Sequence, residues 1–170
     1  MEYPSREHPS GYYFDYETGR ILSEYQLNYI TEGSGIFENP EGIFKIGPGT
    51  LMIIRKNLWH RYKPDVTTGW TEHYIGFDGS IADHFLLQKN VLNGRSVIQL
   101  GKHEELIDTY YKIYDLTLEE KPGFQEIASG MILKLLGYII AFQKQKDFTS
   151  KPLETSIQNL RFDMRSDILK

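Results

Sequence analysis

The sequence predicts a mainly β fold, a sandwich or barrel that ends in helices (α+β), and three features predict it. Short runs rich in β-branched and aromatic residues follow one another from Tyr12 to Asp78. Turn-forming clusters separate them. After Gly79 the apolar spacing changes to steps of three and four.

The β runs cover residues 12–16, 21–31, 35–38, 43–46, 50–55, 60–63 and 70–77. Between them stand Glu17-Thr18-Gly19, Glu32-Gly33-Ser34-Gly35, Asn39-Pro40-Glu41-Gly42, Gly47-Pro48-Gly49 and Thr67-Thr68-Gly69. Each supplies a glycine that reaches positive φ or a proline whose ring fixes φ. Strands this short and this regularly punctuated are what an all-β sandwich or barrel requires. Ser80 then caps a helix running to about Val91, with Ile81, Phe85 and Leu86 as its apolar positions and Asn93-Gly94 as its stop. A short strand over residues 96–100 follows. Residues 104–118 place Leu106, Ile107, Tyr110, Ile113, Tyr114 and Thr117 along one helix face, and Pro122-Gly123 ends the run.

The strongest helix spans residues 124–146. Phe124, Ala128, Met131, Leu135, Tyr138 and Phe142 alternate steps of four and three, a seam of the coiled-coil kind. Ile132, Leu136, Ile139 and Ile140 form a second stripe beside it. The combined apolar arc is wider than a helix resting on one surface needs. One stripe is therefore expected to pack on the β domain and the other, through Phe124, Met131, Leu135, Tyr138 and Phe142, on a second copy. The alternative is a helix sandwiched inside its own domain. Residues 148–152 read as a linker, and residues 153–162 begin another amphipathic helix. The expected organisation is a β domain over 1–79, its completing and dimerising helices over 80–147, and a linker with the start of a further domain over 148–170.

At 170 residues the chain has the size of one ordinary domain. A formal net charge of −4 makes it a poor partner for nucleic-acid phosphates. No window approaches eighteen consecutive apolar residues, so no membrane span is expected. The N-terminal MEYPSREHPS lacks the basic start and apolar stretch of a secretion signal, which points to the cytoplasm. Cysteine is absent, removing disulfides and thiolate metal sites. Aromatic residues make up 14% of the chain, twelve of them tyrosines. That abundance suits strands and also a pocket for a small polar ligand.

Candidate site residues come from strand alternation. His60 and Tyr62 share one face of their strand, and Trp70, Glu72 and Tyr74 share one face of a later strand. If both faces look inward, an imidazole, a phenol, a carboxylate and flat aromatic rings converge. Such a set stacks on the C–H faces of a sugar and accepts its hydroxyl protons. The opposite register would place Thr71 and His73 inside. Nucleophilic catalysis finds no cysteine, no glycine-flanked serine turn and no glycine-rich phosphate fingerprint.

The stretch from Glu24 to Gly79 resembles the sensor domain of AraC-type bacterial transcription regulators, a cupin-related small β-barrel. The likeness lies in Tyr25-Gln26-Leu27-Asn28-Tyr29-Ile30 running into Gly33 and Gly35, and in Pro48-Gly49 before the apolar strand from Leu51 to Ile54. It continues in Trp59-His60-Arg61-Tyr62, and in a strand with Trp70, His73 and Tyr74 that ends in Phe77. Arg55-Lys56-Asn57 departs from the pattern, standing where the family commonly has a proline-containing turn.

The resemblance implies a cupin-like double-stranded β-helix barrel followed by dimerisation helices. It also implies a small effector, sugar-like in character, held near Arg20, Tyr62, Glu72 and Tyr74. A homodimer is expected, with DNA contacted only through helix-turn-helix units beyond Lys170. Metal-binding cupins place their first histidine cluster between Tyr25 and Phe37, where this chain has no histidine. No metal, no cofactor and no catalysis are therefore expected. The alternative is a metal-free cupin enzyme, such as a sugar isomerase or epimerase, using His60, Glu72 and a tyrosine as acid and base.

Overall fold

The computed structural model describes residues 5–8, 16–87 and 94–149. In chain order the elements are β1 (Ser5–His8), β2 (Tyr25–Gly33), β3 (Gly35–Asn39), β4 (Gly42–Ile46), β5 (Thr50–Ile54), β6 (Arg61–Pro64) and β7 (Trp70–Phe77). There follow α1 (Ser80–Leu87), β8 (Val97–Gln99), α2 (Glu104–Glu119) and α3 (Phe124–Thr149). The strands form two antiparallel sheets, a large one in the order β1-β7-β2-β5-β8 and a small one in the order β4-β3-β6. The mainly β fold with C-terminal helices is thus as the sequence predicts.

Most expected strands recur within a residue or two, and β7 has the expected bounds. The exceptions have local causes. The run expected from residue 21 starts as a strand only at Tyr25. Arg20 bridges to His60, beside the small sheet, whereas Tyr25 pairs with Phe77 in the large one. Residues between them cross from one sheet to the other. β1 carries no β signal in its sequence, and it forms by pairing antiparallel with β7, Ser5 opposite His73 and His8 opposite Trp70. Tyr16 lies in a turn, and the rest of the strand expected over 12–16 falls outside the described residues. So do the end of the helix expected to reach Val91 and everything after Thr149.

Two glycines let the sheets meet. Gly33 has φ +75°, and a Cβ there would overlap the Gly69 carbonyl across the strand. A Cβ on Gly35 would strike the Trp70 ring and the Lys63 carbonyl. Without side chains at both points β2 turns sharply into β3, and Trp70 lies flat against the corner.

The core divides in two. Tyr25, Leu27 and Tyr29 from β2 and Leu51 and Ile53 from β5 face the helices, against Leu86, Leu106, Tyr110, Leu135, Leu136 and Ile139. Alternate residues, Ile30 from β2 and Met52 and Ile54 from β5, face the small sheet and pack with Phe37, Ile46, Tyr62 and Trp70. Both faces of β5 are covered, which is why it reads Thr-Leu-Met-Ile-Ile without a polar alternation.

The position of α3 corrects the expected dimer seam. Leu135 is fully buried in the protein's own core, so its side chain is not available to a second copy. Phe142 stacks on His103 at 3.7 Å between ring centroids, and Tyr138 stacks on Phe142 at 5.6 Å. Phe124 and Met131 are half-buried. The helix also runs through Phe148 to Thr149, past the expected start of the linker. By length and composition α3 is apolar enough to cross a membrane, and its inner stripe of Leu135, Leu136 and Ile139 is buried against the sheet.

Candidate functional site

The turn at residues 16–18 delivers Arg20 alongside His60, where the two backbones exchange hydrogen bonds of 2.9 and 3.0 Å. That pairing sends the guanidinium along the small sheet. Its Nε donates to His60 Nε2 at 3.1 Å, and its Nη2 donates to the Tyr62 hydroxyl at 2.9 Å and to Gln26 Oε1 at 3.4 Å. Because His60 Nε2 accepts, the ring proton sits on Nδ1, 3.2 Å from the Leu58 carbonyl. Burial pushes the His60 pKa down to about 4; the Leu58 hydrogen bond opposes this and the Arg20 charge adds to it. His60 is therefore a neutral, oriented imidazole with both nitrogens engaged.

Aromatic rings line this side of the interior. Phe37, His60, Tyr62 and Trp70 follow one another with centroid separations of 6.4, 6.2 and 5.9 Å. The large sheet forms the opposite wall. Its register sets Ile54, Gln26 and Gly76 in one row, Met52, Asn28 and Tyr74 in the next, and Thr50, Ile30 and Glu72 in the third. Trp70 follows opposite Gly33.

The expected site residues are therefore placed as follows. Arg20, His60 and Tyr62 are in mutual contact, and Trp70 packs on Tyr62. Glu72 is 3% exposed and stands opposite Ile30, whose side chain belongs to the inner cluster. His73 has its ring against Tyr110 and Tyr111 of α2, on the helix side, where burial holds its pKa below the ordinary histidine value. Tyr74 is half-buried and lines an open groove between β7, α2 and the start of α3, beside Tyr110, Tyr114 and Phe124. That groove lies outside the barrel, and of the six expected ligand residues only Tyr74 borders it. Among the described residues no group of three His, Asp or Glu side chains gathers as metal ligands do.

Two residues of this wall were not singled out from the sequence. Gln26 holds Arg20, and Asn28 is fully buried with neither its Oδ1 nor its Nδ2 hydrogen-bonded. The signal was present in Tyr-Gln-Leu-Asn-Tyr-Ile: apolar residues alternate with polar ones at the positions that turn inward.

The profile of the AraC-like ligand binding domain matches residues 1–136. The chain belongs to that family. Over 121 residues it is 24% identical to the Msm operon regulatory protein of Streptococcus mutans, covering 71% of this chain and 43% of that protein. Over 91 residues it is 23% identical to the lactose operon transcription activator of Staphylococcus xylosus, covering 47% of this chain and 33% of that protein. Among solved structures it is similar to the AraC-like transcriptional activator CuxR, at 11% identity and a TM-score of 0.40, over 71% of this chain and 42% of that one. The chain spans less than half the length of the curated relatives it matches. In this AraC-like ligand-binding domain the barrel interior is the place where buried polar and aromatic side chains concentrate.

Proposed function

We propose that this AraC-like domain binds a small sugar-like effector inside the barrel and passes its occupancy to an attached helix-turn-helix domain. The observation that carries the reading is the cluster of Arg20, His60 and Tyr62, in which a half-buried guanidinium meets a buried imidazole and phenol among the aromatic rings of the interior. Aromatic faces and fixed donors are what a sugar needs: C–H groups stack on the rings while hydroxyls meet the guanidinium and phenol. Glu72 and Tyr74 complete the proposed site on the opposite wall, and Trp70 its end. The name of one relative, an activator of a lactose operon, supports a sugar.

The same cluster favours binding over catalysis. A general base needs a free lone pair within reach of its substrate. His60 offers none, since Nε2 accepts from Arg20 and Nδ1 faces the Leu58 carbonyl. His60 is thereby removed as the base of a metal-free isomerase or epimerase.

Residues 148–170 are proposed as a linker and the first part of the next domain, and the cytoplasm as the place where it works. For the dimer, the burial of Leu135 moves the proposed contact to the outward side of α3. There Ile127 and Leu133 are exposed, and a side chain at Gly130 or Gly137 would meet nothing within 4 Å of its Cβ. Met131 and Tyr138 flank this strip.

The test is calorimetric titration of lactose, D-galactose, D-glucose and L-arabinose into the wild-type domain and into Arg20→Met. Heat of binding that Arg20→Met abolishes is the expected result. No heat from any sugar at tens of millimolar, or binding that survives Arg20→Met unchanged, overturns the reading.

A further inference from the structure

We propose that Asn28 is a ligand-reading residue of the barrel and that it recognises two adjacent hydroxyl groups of a neutral sugar or polyol. The inference rests on the effector-binding reading above and adds to it the residue that selects the ligand's chemistry.

Asn28 sits in the middle of β2, the central strand of the large sheet, with Met52 of β5 on one side and Tyr74 of β7 on the other. Its inward neighbours along the strand are Gln26, which holds Arg20, and Ile30 of the inner cluster. It is fully buried, and neither atom of its carboxamide has a hydrogen-bond partner. A buried carboxamide in that state opposes folding, and an apolar side chain of similar shape would remove the penalty. A second unpaired donor, the indole Nε1 of Trp70, is buried in the same interior.

The chemistry of the unpaired atoms selects the ligand. A carboxamide presents one acceptor beside N–H donors. Two neighbouring hydroxyls answer both at once, one donating its hydrogen to Oδ1 and the other accepting from Nδ2. A carboxylate or a phosphate offers only acceptors at neutral pH, so it would leave Oδ1 facing negative charge. A hydrocarbon answers neither atom. Arg20 already meets Tyr62, His60 and Gln26, so it reads as a fixed donor to ligand oxygen, which a neutral polyol also satisfies.

The experiment compares wild type, Asn28→Leu and Asn28→Ala, using thermal unfolding without ligand and titration with the four sugars above plus gluconate. For the tightest-binding sugar, its monodeoxy analogues are added. Asn28→Leu is expected to unfold at the same temperature as wild type or higher, and to bind the sugar roughly tenfold to hundredfold more weakly. Asn28→Ala, which cannot overfill the site, is expected to show the same loss of affinity. Wild type should lose affinity for the analogues lacking either of two adjacent hydroxyls, and the Asn28→Leu protein should no longer distinguish them.

A sugar bound equally well by wild type and both variants removes Asn28 from the site and leaves the sugar-sensing reading intact. Gluconate binding where no neutral sugar binds, or no binding at all, overturns both. A drop in the ligand-free unfolding temperature of both variants alongside unchanged sugar affinity identifies Asn28 as a structural residue and overturns this proposal alone.

Discussion

The two faces of the large sheet are built from the same strands and treat their polar groups in opposite ways. On the helix side every buried tyrosine hydroxyl from the core cluster is satisfied. Tyr25 donates to Asp83 at 2.6 Å, Tyr29 to the Gly101 carbonyl at 2.5 Å, and Tyr110 to the Leu27 carbonyl at 3.1 Å. His73, whose Nδ1 has no partner, and Gln143 of α3, whose buried Nε2 has none, are exceptions there. On the barrel side Asn28 and the Trp70 indole are unpaired, and a guanidinium is held by neutral groups among aromatic rings. Strand alternation separates the two roles at single-residue spacing, Leu27 and Tyr29 to one side and Asn28 and Ile30 to the other. A fully satisfied polar network rigidifies a scaffold, and a buried unsatisfied group is the one that calls for a further explanation.

The largest effect should come from breaking the helix-side core. Leu135 is fully buried between α3 and the sheet, so Leu135→Ala should cost about 2 to 5 kcal/mol in urea unfolding. Leu135→Glu would bury a carboxylate in the same place and should not fold. On the barrel side the volume-conserving change Met52→Leu should cost under about 1.5 kcal/mol. A folded Leu135→Glu protein, altered only in its sedimentation, would return that residue to the dimer seam and undo the division of the core.

The division was only half legible in the sequence. Strand order along the chain, the turn glycines and the helix periods follow from local chemistry, and they predicted the mainly β fold and the bounds of β7. The pairing of His60 with Tyr62 and of Trp70 with Glu72 needed only the two-residue period of a strand. Three things depended on partners distant in the chain. β1 exists because β7 has a free edge for it, not because Ser-Arg-Glu-His favours strands. The seam on α3 has a coiled-coil spacing, yet spacing cannot say whether Leu135 meets its own sheet or another copy. Asn28 drew no notice because a polar residue in a strand reads as solvent-facing until the second sheet is seen to cover it.

A matched pair of hydroxyl deletions sharpens the contrast between the faces. Tyr62→Phe removes the oxygen that accepts from Arg20 and keeps the ring between His60 and Trp70. Tyr110→Phe removes the donor to the Leu27 carbonyl. On the helix side the expected outcome is a loss of about 0.5 to 1.5 kcal/mol in stability with sugar affinity unchanged. On the barrel side it is roughly tenfold weaker sugar binding with a smaller change in melting temperature. Equal effects of the two changes on both measurements would erase the distinction.

Acid should reach the barrel side before it reaches the surface ion pairs. An unfolded histidine protonates near pH 6.5, while His60 in the fold does so only near pH 4. Between those values the unfolded chain binds more protons, so the stability supplied by His60 is complete above pH 6.5 and is lost as the pH falls toward 4. His73 acts in the same direction. Asp65, Asp78 and Asp83 titrate below their usual 3.8 and lose their contributions only in stronger acid. Urea unfolding at neutral pH and at pH about 4.5 should show the decline in wild type and a shallower one in His60→Gln. An unchanged slope in His60→Gln would mean that its ring is not a buried neutral imidazole.

The smallest effect on folding is expected at the outward strip of α3, where neither face of the sheet is touched. Ile127 is 55% exposed and Leu133 38% exposed, and Gly130 and Gly137 open between them toward empty space. Exposed positions of this kind change stability by about 0.5 kcal/mol or less when substituted. Ile127→Lys with Leu133→Lys should therefore leave the melting temperature of the monomer close to that of wild type. If two copies pair through this strip, the double variant would set four added lysines against each other across a two-fold axis. Sedimentation at micromolar concentration should then give a dimer for wild type and a monomer for the variant. A dimer that survives the change places the interface elsewhere, with the half-buried Met131 and Tyr138 edge of the helix the next position to probe. A wild-type monomer removes the dimer from the proposal and leaves the effector site as it stands, because Arg20, His60 and Tyr62 all come from one chain.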